Sequence, residues 1–451
     1  MTLDDHYVIL NEPDSEYIGH VSPISGHGWA IAHAIFTYLS SHDLLGSLVC
    51  AGADGTVVNV CPDGGAIRYL ELLTGNALHY FICMLHGNEL PFRKLFYHFD
   101  GKSSGPEVWS GPMGKAIKQN LQMLPIVIFE AIPFADFPTL PMDVLNDLSW
   151  DQSYLYRICH AIIIGIVDAD LAAIEPGPPC VSRWNILWSR ICRLYVATRN
   201  PSMQLKRLTT IIVKFSAPMW FHIKRRPYAY QGAVNVHTNL QLLKHLTRKE
   251  QELAKTVIQR NAFFAHPDQI LLAMCVDEQR AVRSKAVRHI QRIRSETRMI
   301  DESLQNVAAE VVGSSSTTDE PAPRYTSIET HGVRAVNEMI KNSAIRRMKI
   351  PKLRWNAKAY HTMIDMTASL ISEPPFLSQL SNAEIAGIVD APLQVPKWPC
   401  HTQPVERAIR LLTDAAVSVA GQEERDGFIR QRLYSRQHMP TFKCKRHYSI
   451  G

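Results

Sequence analysis

The hydrophobic period changes part-way along the chain, and this change constrains the fold more than any other feature of the sequence. Apolar Tyr7-Val8-Ile9-Leu10 precedes a helical run through Ala30, Ala34, Ile35, Tyr38 and Leu39. Apolar Leu48-Val49-Cys50-Ala51 then ends in Gly52-Ala53-Asp54-Gly55. A helix through Ile67, Leu70 and Leu73 breaks at Gly75, and Leu78 to Cys83 reads as a short strand. Strand, helix, strand, helix, strand puts at least two parallel neighbours in one sheet. After Pro91 the character shifts. Gly101 to Gly114 and Ile132 to Pro141 are Gly/Pro-rich connections, and from about Gln152 to Ile300 the spacing is helical. Trp184, Ile191, Leu194 and Tyr195 recur at helical steps, as do Val236, Leu240, Leu243 and Leu246, so each helix has one stripe to bury.

A flexible loop is expected from Gly313 to Pro323, where Ser and Thr dominate and apolar residues are too few to offset ordering entropy. Thr402-Gln403-Pro404-Val405-Glu406 opens a last helix, with Pro404 in the first turn and Val405, Ala408, Ile409, Leu412, Ala415, Ala416 and Val419 along one side. The expected fold class is therefore α/β with a large all-α block. Residues 1–100 form the first lobe, 101–395 a mainly helical domain, and 396–451 a closing helix with a basic tail.

Several function classes drop out on composition. The nine cysteines are odd in number, scattered and without a C-x-x-C pair, which argues against a disulfide framework or a zinc finger and points to the nucleus or cytosol. The N-terminus carries no secretory or transit signal, and no apolar run approaches the ~20 residues of a bilayer-spanning helix, so neither export nor a membrane partner is expected. No Walker-type phosphate loop and no G-x-S-x-G elbow is present. A net charge of +6 permits polyanion binding without requiring it. The charge is concentrated in Arg280, Arg283, Lys285, Arg288, Arg292, Arg294 and Arg298, against the single acid Glu296, and again in Arg346 to Arg354. This basic run reads equally as a phosphate-binding face, with Arg283, Arg288, Arg292 and Arg294 as ligands, or as a solvated helix face.

Asp54 stands where a strand ends, the position at which α/β folds collect functional groups, although a turn aspartate is the plainer reading. Glu406 sits in a helix first turn, where the dipole favours a carboxylate with or without chemistry. A strand-end carboxylate paired with one on a distant helix suits Mg²⁺, a hard ion that prefers oxygen ligands. Cys83-Met84-Leu85-His86 offers two softer ligands, but a structural zinc needs four, so no zinc is expected and both side chains read as structural.

In order, these stretches resemble the hAT-like superfamily of DNA transposases. Gly52-Ala53-Asp54-Gly55-Thr56-Val57-Val58-Asn59 resembles the family's second catalytic aspartate with its following Asn, and Cys83 to His86 its C-x-x-H motif. Ser182-Arg183-Trp184-Asn185 resembles the Arg-Trp element that opens the helical insertion, and His401-Thr402-Gln403-Pro404-Val405-Glu406-Arg407 the helix of the final catalytic glutamate. A denser similarity, to a group of uncharacterised transposon-derived proteins, adds Asn88 to Arg93, Gln259 to Pro267 and Glu424 to Arg430.

The resemblance implies an RNase H-like core, N-terminally truncated and interrupted by a helical domain, with Asp54 and Glu406 as catalytic, metal-binding carboxylates. Such cores begin with two further strands, the first carrying a first aspartate, so the chain is expected to be catalytically incomplete and to use Mg²⁺ only if that strand is supplied. DNA, held through the basic helices, is the partner implied, and a second copy of the chain is left open. A domesticated, non-catalytic interaction protein is the alternative, and a helical scaffold with an incidental α/β lobe is the reading unrelated to transposons.

Overall fold

The structure is a computed structural model that describes residues 7–61, 63–102, 109, 111–178, 184–260, 267–312, 357–363 and 373–420. Side chains are described in only part of the helices that end at 312 and 420. The segment 313–323, Arg183, the basic cluster 346–354, the stretch 261–266 and the motif 424–430 lie outside the described residues. The fold is mostly helical, with two small β-sheets.

The expected strands form, but not in one sheet. β1 (Tyr7–Asn11) pairs antiparallel with β2 (Glu16–Val21). β3 (Cys50–Ala53) pairs parallel with β4 (His79–Ile82). The two parallel neighbours expected from the sequence are β3 and β4, whereas β1 takes the unexpected strand β2 as its hairpin partner. Asp14 and Ser15 adopt positive φ in the reversal, at 85° and 57°. The Glu12 carboxylate accepts from the Ser15 amide at 3.0 Å, closing the turn with a side chain. β2 was hidden because Glu16-Tyr17-Ile18-Gly19-His20-Val21 has no clean two-residue alternation, and the pairing register shifts between Ile9 and Leu10.

Helices α1 (Gly28–Ser41) and α2 (Ala66–Thr74) pack together and bury Ile31, Ala32, Ile67, Leu70 and Leu72 against Tyr80 and Ile82 of β4, with Tyr7, Ala51 and Ala53 at the margin. α2 ends where the sequence placed its break, at Gly75, whose φ of 71° lies in the left-handed region that glycine adopts without strain. Inside this small core Glu71 accepts from the Leu78 amide at 2.9 Å, the Tyr80 hydroxyl at 3.0 Å and the Arg68 guanidinium at 3.1 Å. Helix and strand are thereby fixed by a satisfied buried carboxylate.

A second, larger core begins at Cys83. α3 (Met84–Asp100) buries Phe92, Leu95 and Phe96 completely against the helical block. The block contains α4 (Trp150–Ile164), α5 (Trp184–Val196), α6 (Met203–Ile211), α7 (Ala217–Arg225), α8 (Gly232–Leu242), α9 (Arg248–Arg260), α10 (Pro267–Cys275) and α11 (Arg280–Val312). α4 opens on a capping box of Ser149 and Gln152 and closes at Gly165, φ 84°. A π-helical turn, Ile212–Ser216, joins α6 to α7. It lies just ahead of Pro218, which has no N–H to give the Lys214 carbonyl. Arg190 of α5 holds the loops over the block, donating to the carbonyls of Ile117 at 2.5 Å, Gln119 at 2.6 Å, Pro176 at 2.7 Å and Gly177 at 2.9 Å. The last described helix, α12 (Gln403–Ala420), contacts β1, so chain ends far apart in sequence meet in space. Among the described residues no helix is long and apolar enough to cross a membrane.

Candidate functional site

The C-terminal ends of β3 and β4 and the first turn of α12 converge on one corner of the molecule. Asp54 follows β3 directly. Its Oδ1 accepts from the Thr56 amide at 3.2 Å, the Thr56 hydroxyl at 2.8 Å and Asn59 Nδ2 at 2.7 Å, fixing the turn that leads into the single helical turn Val57–Val60. The other oxygen, Oδ2, takes part in none of these bonds, so a turn role and a ligand role use different atoms of one carboxylate. A Cβ built on Gly55 would stand 3.8 Å from His86 Cδ2 and 3.6 Å from Ile82 Cγ2, which places the turn against the start of α3.

At the β4–α3 junction, Cys83 is buried and its Sγ accepts from the Thr402 hydroxyl at 3.5 Å, while the Met84 amide donates to the Cys400 carbonyl at 2.8 Å. The segment leading into α12 is thus stitched to the end of β4 across more than 300 positions of sequence. Burial pushes the Cys83 thiol upward in pKa, opposed by hydrogen bonds from His86 and Thr402, and pushes the Cys400 thiol up as well. Both are protonated thiols in the folded chain. His401 is held neutral, its pKa lowered to about 4 by burial first and then by the Lys224 charge. Its Nδ1 has no hydrogen-bond partner among the described residues.

Glu406 is exposed in the first turn of α12, its amide bonded to the Thr402 carbonyl at 3.3 Å. Around it, buried Lys224 donates to Gln403 Oε1 at 2.9 Å and to Asp147 Oδ2 at 3.2 Å, and Arg407 pairs with the same Asp147. Burial alone would raise the pKa of Asp147, but the bonds from Arg407 and Lys224 outweigh it and hold the carboxyl below its usual range. These three side chains bind the start of α12 to the helical block. Among the described residues no group of three or more His, Cys, Asp and Glu side chains is arranged to hold a metal ion.

Trp184, the described half of the Arg-Trp pair, is a core residue. Its amide donates to Glu89 Oε2 at 3.1 Å, and its ring packs among Phe92, Phe96, Tyr97 and Trp109.

The basic run divides by helix face. Arg283 is 4% exposed and donates to the carbonyls of Glu278 at 2.7 Å, Asp277 and Ile388 at 2.8 Å and Val389 at 3.1 Å. Arg294 is half-buried against Glu373 Oε1 at 2.6 Å, Asn382 Oδ1 at 2.6 Å and the Leu380 carbonyl at 2.8 Å. Neither guanidinium is available to phosphate without breaking these bonds. Arg288 and Arg292 are exposed, and exposed Lys285 continues their row at helical spacing, with Val282, Ala286, Ile290 and Ile293 buried on the other side.

Sequence reasoning did not single out Cys400, Lys224 or Asp147, and quoted His401 only as part of a motif. The doublet Cys400-His401 beside the Glu406 helix was the available signal, but nothing local shows that it faces Cys83. Compared with protein-family models, with characterised proteins and with solved structures, the chain matches none.

Proposed function

We propose that the chain is a transposase-derived nucleic-acid-binding protein, related to metal-dependent DNA strand-transfer enzymes and without strand-transfer activity of its own. The observation that supports this reading is the convergence of three motif segments, Asp54-Gly55, Cys83 to His86 and Cys400 to Glu406, at one corner of a parallel strand pair. The hairpin and the parallel pair are read as parts of an RNase H-like core, with the helical block as its insertion.

Oδ2 of Asp54, which accepts none of the turn's hydrogen bonds, and the exposed carboxylate of Glu406 are hard oxygen donors of the kind Mg²⁺ prefers. If they share one ion, they would hold it with water filling its remaining positions. Such an ion would polarise a phosphoryl oxygen, whereas in-line transfer uses two ions with bridging carboxylates. With Mg²⁺ or Mn²⁺ on plasmid and hairpin substrates, no cleavage is expected. Cleavage that both Asp54→Ala and Glu406→Ala abolish would overturn the inactive reading.

Binding itself rests on the exposed row Lys285, Arg288 and Arg292, which spans about 10 Å of helix and faces solvent. Duplex DNA titrated at several salt concentrations should give a log–log slope that falls by about 2.7 when all three become alanine, at about 0.9 per phosphate contact. An unchanged slope would return this row to a solvated face and favour the non-catalytic interaction protein.

A further inference from the structure

We propose that Cys83 and Cys400 form a redox latch: oxidation by a low-molecular-weight disulfide, glutathione disulfide, joins them and pins the root of α12 to the junction of β4 and α3. The inference concerns the joint itself and stands apart from the nucleic-acid reading.

The backbone already holds the two residues together. The Met84 amide donates to the Cys400 carbonyl at 2.8 Å, and the Cys400 amide donates to the Pro227 carbonyl at 2.7 Å. The first of these bonds confines the Cα atoms of Cys83 and Cys400 to about 7 Å or less, against the roughly 4.4 to 6.8 Å that a disulfide spans. Cys83 is also near enough for its charge to act on the Cys400 thiol. Linking them gives up only two weak sulfur contacts, from the Thr402 hydroxyl to Cys83 Sγ at 3.5 Å and from Cys400 Sγ to the Arg226 carbonyl at 3.9 Å. Both cysteines lie outside helices, so the local backbone can adjust.

The joint also sits where a covalent bond has something to hold. Among the residues of α12 whose side chains are described none is buried, and Leu411 is 63% exposed. Besides its contact with β1, the helix is held at its root, by Lys224 on Gln403 and by Arg407 on Asp147. An element that buries little opens locally at low cost, and such opening gives an oxidant its route to the two thiols. Cys159 of α4 and Cys192 of α5 are neighbours too, but both are wholly buried between packed helices. No comparable route leads to them.

In the reaction one thiolate attacks glutathione disulfide, forming a mixed disulfide and releasing one glutathione. The second thiolate then attacks the protein sulfur of that mixed disulfide, closing the Sγ–Sγ bond and expelling the other glutathione. Two electrons pass from the cysteine pair to glutathione disulfide, and the two protons end on the released thiols. Burial keeps both cysteines protonated and so slows the exchange, but the equilibrium is set by proximity, which the fold supplies.

The test brings the full chain to equilibrium in glutathione buffers of rising disulfide content, then traps free thiols in acid and maps the peptides by mass. A link between the peptides of Cys83 and Cys400, with two hydrogens lost, is expected in the folded chain and should lose its preference in urea. Amide exchange from Thr402 to Glu406 should slow by about tenfold or more in the linked form, and Cys400→Ala should remove both the link and the protection. Mixed glutathione disulfides that persist at either cysteine, a Cys159–Cys192 link in its place, or an equal yield in urea would overturn the latch. A link that leaves exchange at Thr402 to Glu406 unchanged would overturn the pinning of α12.

Discussion

Replacing Arg283 with alanine is expected to lower the unfolding free energy by on the order of 3 kcal/mol and to leave the salt dependence of DNA binding unchanged. Buried Arg283 lies on the inner face of α11 and bonds the carbonyls of Asp277 and Glu278, which follow α10, to those of Ile388 and Val389. It is one side chain tying the turn between two helices to a segment more than 100 positions further on. Truncation leaves these buried acceptors without donors and opens a void where the stem lay, and both effects act in the same direction. A lysine carries the charge but cannot reach four carbonyls in a planar fork, so Arg283→Lys should recover little. Arg292→Ala, on the exposed face with Glu296 at 3.6 Å, should cost less than about 0.5 kcal/mol and flatten the salt slope instead. Urea denaturation of each variant, beside DNA titrations where each is folded, separates the two roles. An Arg283→Ala protein as stable as its parent but with a reduced slope would show that the clamp is not what holds this region.

The second large effect is loss of stability in mild acid. Burial holds His401 near a pKa of about 4, with the Lys224 charge adding to it, and holds His222 at about 4, with Arg226 and Arg225 adding. Unfolded, each would return to its ordinary value of 6.5. Between those values the unfolded chain binds protons that the folded chain refuses, so stability is complete above pH 6.5 and falls as pH drops towards 4. Each imidazole should remove on the order of 2 kcal/mol between pH 7 and pH 5. His160, His245, His289 and His361, also lowered by burial, act in the same direction. Denaturation midpoints at the two pH values measure the total, and His401→Gln should remove about one histidine's share of the difference. Equal midpoints at both pH values would mean that these imidazoles protonate freely in the folded chain.

Much of the local architecture was legible in the sequence because it is written in short-range chemistry. Helical spacing marked Trp184, Ile191 and Tyr195, and Val236 and Leu240, all of which are buried. Gly75 ended its helix because its left-handed φ suits a residue without Cβ, and Leu78 to Cys83 formed a strand within one residue of its expected bounds at each end. Other features depended on which surfaces meet, and a period cannot report that. The hairpin partner of β1 arose from a turn closed by Glu12, and a weakly patterned strand won the pairing. Seven basic residues in one run looked alike in sequence, yet packing of α11 turned Arg283 inward to backbone carbonyls and left Lys285, Arg288 and Arg292 in water. Cys400 and His401 lie next to the Glu406 helix in sequence, but only the folded chain sets them against Cys83, with Lys224 and Asp147 arriving from the helical block. The reason is physical. Backbone conformation and burial period follow from neighbours a few positions away, whereas the identity of a contact across hundreds of positions is decided by how whole faces exclude water together.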